Sequence, residues 1–174
     1  MAEMTPQQFI EQTLIEDVGY LVKKGKHYIA FAIMAIGIEV LGKCLNSKNV
    51  WNDPSGSSRS DFKNAIDELD AFKDYKDKNL YDNLRNGFAH FLAPKSSIIL
   101  SSGKEDFHLK LIDGKLLYIN CEDFYKDFAR ACNETVSKKF HNPNKMNQPF
   151  LVTEDGQNPD FSTYSTSASA FPTK

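Results

Sequence analysis

The chain has no apolar run long enough to span a membrane, no cysteine or glycine motif, and no excess of positive charge. Its longest apolar stretch, residues 28–38, is bounded by Lys26-His27 and Glu39. That is well short of the roughly 18 residues a span needs, so no membrane partner is expected. The first residues lack a basic start followed by an apolar segment, so no secretory signal is read there. Three cysteines, Cys44, Cys121 and Cys132, cannot all pair within one chain, and their spacings fit neither a zinc nor a redox motif. They are expected to be reduced core thiols of a cytoplasmic protein. Lys plus Arg number 21 against 23 Asp plus Glu, a net charge of −2, with a pI near 6.1. Bulk positive charge therefore cannot hold nucleic acid, and any phosphate contact has to be local. No glycine-rich loop follows a strand, and no Gly-x-Ser-x-Gly elbow appears. His27, His108 and His141 lack ligand spacing with any Cys, Asp or Glu, so neither a metal nor a cofactor is expected. No internal repeat is present.

What remains is 174 residues, 41% hydrophobic and 25% charged, enough for one real core plus a tail. Thr5-Pro6-Gln7-Gln8 reads as a capping box opening a helix over about 6–24, with Gly25 as its stop. A second helix, about 27–45, is apolar on nearly every side and should be surrounded by others. Gly37 and Gly42 allow a close neighbour. Glu39 is the odd residue on this helix, pointing outward or hydrogen-bonded. Residues 46–60 form a loop rich in turn chemistry, with Trp51 as a packing anchor. A third helix covers about 60–73, with Phe62, Ala65, Ile66, Leu69 and Phe72 on one face. A fourth covers about 78–92, with Leu80, Leu84, Phe88 and Phe91 at helical spacing, and Pro94 ends it.

The period then changes. Phe107, Leu109 and Leu111 alternate with His108 and Lys110, which makes His108 a solvent-facing strand residue. Asp113-Gly114 marks a two-residue turn, and residues 115–119 return. This predicts a small antiparallel β-hairpin, extended to a three-stranded meander if 97–100 joins it. Asn120 opens a last helix, about 122–139. Residues 141–174, rich in Asn, Pro, Ser and Thr, read as a polar tail or extended arm. The fold class is all-α: a bundle of four to five helices with the hairpin inserted before the last one.

Apolar spacing explains most of the fourth helix. It does not explain Arg85, Asn86 and His90. Arg85 is one of three arginines beside eighteen lysines. A guanidinium offers a planar fork that suits phosphate or carboxylate, and an imidazole exchanges a proton near neutral pH. At about 100° per residue the two side chains lie about 140° apart on an ideal helix. They converge only if the helix loosens, which Gly87 makes easier, or if a second copy completes the site. The bland alternatives are a histidine that bonds a free carbonyl in the last turn and an arginine paired with an acid such as Asp82.

Arg85-Asn86-Gly87-Phe88-Ala89-His90 resembles the signature of the HEPN superfamily: an arginine, commonly a polar residue, then a histidine after four to six residues. The helix order over about residues 5–140 is also similar, which makes 1–140 a HEPN-like helical domain and 141–174 its tail. The resemblance implies a metal-independent endoribonuclease acting on RNA. It implies a homodimer whose motif helices meet, with His90 as general acid/base, Arg85 on the phosphate and Asn86 orienting them. It also implies a toxin–antitoxin, phage-defence or RNA-processing setting, with an antitoxin or other protein partner. Some members only bind or dimerise, so the alternative is a non-catalytic interaction module taking a partner protein or small anion. Local positive charge for a cleft would come from Lys23, Lys24, Lys26 and Lys95.

Overall fold

The computed structural model describes residues 2–45, 57–103, 107–139 and 151–153. Trp51, His141 and most of 141–174 lie outside them. The described chain is mostly helical. Helix α1 runs without a break through Pro6–Gln8, Phe9–Asp17 and Val18–Lys23, the middle stretch with the wider π turn. Thr5 caps it: its hydroxyl accepts from the Gln8 N–H at 3.2 Å, while the Gln8 side chain accepts from the Thr5 N–H at 2.9 Å. Helix α2 is His27–Leu45 and α3 is Ser58–Glu68. Helix α4 joins a π turn, Tyr81–Arg85, to Asn86–Phe91. Helix α5 is Cys121–Glu134, continued by Thr135–Lys139, and the Asn120 side chain accepts from the N–H groups of Glu122 and Asp123.

The all-round apolar character of α2 has the consequence expected of it. The helix packs against α1, α3, α4 and α5. Phe31, Met34, Ile38 and Leu41 are buried, and Phe31 stacks on Phe124 of α5 at 6.0 Å between centroids. Among the described residues α2 is the one helix long and apolar enough to cross a bilayer. Length and composition alone do not separate a span from the core helix of a bundle, and 56% of its most apolar stretch is buried here. Of its exposed large apolar residues, Tyr28, Ile29 and Ile36, the last two are seven apart and so share one stripe.

Three expectations need correction. The third helix stops at Glu68. Leu69 is extended, and Asp70–Tyr75 forms a 3₁₀ segment whose opening N–H groups, of Asp70 and Ala71, donate to the Glu134 carboxylate of α5. A period of three places Leu69, Phe72 and Tyr75 on one face, and all three are buried. Helix α4 begins later than 78 because Asn79 takes a left-handed φ of 48°. The three-stranded sheet is mixed rather than an antiparallel meander, because its first strand runs parallel to its neighbour. Strands β1 (Ala2–Met4) and β5 (Leu151–Thr153) pair antiparallel apart from it. In the sheet itself, β2 (Ile98–Ser101) lies parallel to β4 (Leu116–Asn120), and β3 (Leu111–Ile112) lies antiparallel to β4 on its other edge. Residues 107–110 are not strand. Leu109 has φ 60°, and the short link across residues 113–115 carries positive φ at Asp113 and Gly114.

His108 is correspondingly not solvent-facing. Its Nδ1 accepts from the Asn120 N–H at 3.1 Å, which leaves the proton on Nε2, 2.8 Å from the Tyr75 hydroxyl. That hydroxyl donates to Asp127 at 2.8 Å. The chain of bonds ties the sheet to α5 and to the 3₁₀ segment. Burial and the neighbouring Asp127 carboxylate both push the Tyr75 hydroxyl well above its ordinary range.

The tightest approach is between α2 and α3. A Cβ built on Gly42 would lie 1.7 Å from the Asp61 carbonyl oxygen. Backbone cannot swing aside as a side chain can, so Gly42→Ala must part the helices. Overpacking of this kind costs about 1–3 kcal/mol or more. The expected result is a melting temperature lower by about 5 °C or more, read by circular dichroism. A variant that melts with wild type would mean that the helices do not sit this close.

Candidate functional site

The site is built around an acid on the most apolar helix. Glu39 is 8% exposed, on the face of α2 that meets α3 and α4. Oε2 accepts from Arg85 Nε at 3.0 Å, Arg85 Nη2 at 2.5 Å and the Ser58 hydroxyl at 2.7 Å. Oε1 faces Lys43 Nζ at 3.3 Å, one turn further along the same helix. Burial resists ionisation of this carboxyl. The hydrogen bonds from Ser58 and Arg85 and the charges of Arg85 and Lys43 outweigh it, so Glu39 is held below the usual carboxylate range.

Arg85 is turned inward, with 16% of its side chain exposed. Its Nη1 donates to the Asn86 side-chain oxygen at 3.2 Å, and its Cζ lies 5.5 Å from the centre of the Tyr81 ring. The Tyr81 hydroxyl donates to Ser58 Oγ at 3.2 Å, closing a ring of contacts through α2, α3 and α4. The other face of the network is a surface pair. Arg59 holds Asp82 through both guanidinium nitrogens and lies 4.6 Å over the Tyr81 ring. Asp82 is therefore the partner of Arg59, and the acid that takes Arg85 is Glu39.

The structure thus brings Arg85 and Asn86 together and leaves His90 apart. His90 lies one turn beyond Asn86, exposed, with its ring 6.3 Å from that of Phe91. Among the described residues it has no hydrogen-bond or ion-pair partner. Gly87 does not loosen the helix here. It lets the chain fold back, since a Cβ on it would lie 2.3 Å from the Ala93 carbonyl oxygen. Leu92 ends the helix in a left-handed conformation, and the Tyr28 hydroxyl donates to its carbonyl. Apolar residues follow His90 at the surface: Phe91 is 78% and Leu92 73% exposed, and the exposed Tyr28 of α2 is hydrogen-bonded to Leu92. Lys23, Lys24, Lys26 and Lys95 are all exposed.

Sequence reasoning singled out Glu39 as anomalous without finding its partner. Its signal was a lone acid in an apolar helix. Ser58 gave no signal. The thiols offer no nucleophile: all three are free and buried, and burial pushes Cys44 up to about 12. Among the described residues, no three His, Cys, Asp or Glu side chains gather as metal ligands. Comparison with family models, curated proteins and solved structures gave no match to this chain.

Because folding lowers the Glu39 pKa, this group contributes stability above its unfolded value and loses it as pH falls through the lower folded value. The stability gap between wild type and Glu39→Gln, measured by urea unfolding, should be widest near pH 6–7 and narrow below about pH 4.5. A gap constant across that range would mean that the carboxylate is not held ionised by its partners. Arg85→Ala leaves the buried acid with Ser58 and Lys43 alone and should cost about 3–5 kcal/mol.

Proposed function

We propose that the chain is a HEPN-like, metal-independent endoribonuclease that acts as a homodimer. One observation carries the reading: an arginine hydrogen-bonded to the asparagine beside it, on a helix whose next turn presents an exposed histidine. The chemistry suits cleavage of a phosphodiester by its own ribose. The 2′-oxygen bonds to phosphorus as the 5′-oxygen leaves, giving a 2′,3′-cyclic phosphate and a 5′-hydroxyl. The His90 imidazole takes the 2′-hydroxyl proton or returns one to the leaving oxygen. The Arg85 guanidinium holds the charge that develops on the phosphoryl oxygens.

The dimer is part of the proposal because one protomer does not bring His90 to Arg85. The exposed apolar residues Phe91 and Leu92, with Tyr28 of α2 hydrogen-bonded to Leu92, are of the kind copies bury. The second reading, a non-catalytic module for a protein partner or a small anion, is favoured by one fact. Arg85 spends two of its donors on Glu39.

End-labelled single-stranded RNA with excess chelator is the assay. Wild type should cleave it, and His90→Ala should lower the rate by about 10²-fold or more at an unchanged melting temperature. Light scattering should give twice the 19.7 kDa chain mass, reduced to one chain by Leu92→Asp. No cleavage across diverse RNAs, or equal cleavage by His90→Ala, would favour the interaction module.

A further inference from the structure

We infer that Glu39 is a positioning residue for Arg85: it fixes the plane of the guanidinium and leaves the remaining donors, beside Asn86, for a phosphoryl oxygen. The inference rests on the RNA-cleavage reading and adds to it a residue more than forty positions away from the motif in the chain. An arginine side chain has several rotatable bonds, and a donor that must be ordered during reaction contributes less than one already in place. Arg85 is held on three sides. Its Nε and Nη2 meet Glu39 Oε2, its Nη1 meets Asn86, and the Tyr81 ring lies against it. A guanidinium has five N–H bonds, so three are used and two remain.

The carboxylate is itself immobile. It projects from the helix that four others surround, and Ser58 and Lys43 hold it independently of Arg85. Charge counting points the same way. Two cations, Lys43 and Arg85, share one anion, so the cluster keeps a net positive charge although the chain as a whole is acidic. An acid placed only to silence Arg85 would not need a second cation beside it. Glu39 touches no substrate in this arrangement. It acts through Arg85.

The test uses the full chain with Glu39→Gln, which keeps the side chain's shape and removes its charge, and Ser58→Ala, a milder loosening should the first variant fold poorly. Three quantities are read: single-turnover cleavage of single-stranded RNA, melting temperature, and the Arg85 Nε–Hε signal in ¹⁵N-labelled protein, assigned by its loss in Arg85→Lys. Glu39→Gln should lower kcat about 10- to 100-fold with KM little changed, and its Arg85 Nε–Hε proton should exchange faster with water. Ser58→Ala should shift both in the same direction by less. A purely structural pair would move the melting temperature and leave kcat per folded molecule alone, which would overturn the proposal. So would faster cleavage by Glu39→Gln, which would make Glu39 a competitor of phosphate. If wild type cleaves no RNA, the nuclease reading falls by itself. Inorganic phosphate titrated against the Arg85 signal then decides the role of Glu39: weaker binding in Glu39→Gln supports positioning, and equal binding overturns it.

Discussion

A carboxylate on the central helix has to be neutralised where little water reaches it, and that requirement joins α2, α3 and α4. Glu39 would cost several kcal/mol as an isolated buried charge. Arg85 from α4, Ser58 from α3 and Lys43 from its own helix answer that cost together. Ser58 and Arg85 share a further neighbour, because Ser58 also accepts from Tyr81, whose ring lies under both Arg85 and Arg59. The pair is weak evidence of net stability, since an apolar pair of similar volume could do as well.

The same helix, α4, has two environments. Its first turns face the buried network. Its last turn runs out into solvent with His90, Phe91 and Leu92 exposed, Leu92 hydrogen-bonded to Tyr28. One short helix thus holds a guanidinium inward and leaves an imidazole outward, which the proposed nuclease reading takes as half of a site that a second copy would complete. The Tyr28 hydroxyl, donating to the Leu92 carbonyl, ties that exposed end to α2.

A second polar chain, through Asp127, Tyr75 and His108, anchors the sheet to α5 and to the 3₁₀ segment. Both histidine nitrogens are engaged there, one by the Asn120 N–H and one by Tyr75. This accounts for His108 as a structural residue: it offers no free atom to a substrate, whereas His90 offers both of its nitrogens. Which of the two histidines is available was not visible in their neighbours in the chain.

Local patterns in the sequence determined the helices. The Thr5–Gln8 box, the Asn120 cap and the 3.6-residue spacing of apolar residues depend on neighbours in the chain, so they are legible there. So was the burial of α2, because a helix apolar all round has no face for water. Three things were decided only by the tertiary structure. The parallel pairing of β2 with β4 joins segments that are not neighbours in the chain, and alternation does not encode direction. The break at Leu69 follows from where Phe72 and Tyr75 find the core. The partner of Arg85 lies 46 residues away on another helix. An ion pair across a bundle leaves no local period. The sequence could therefore show that Glu39 and Arg85 each needed a partner, but only packing could make them each other's.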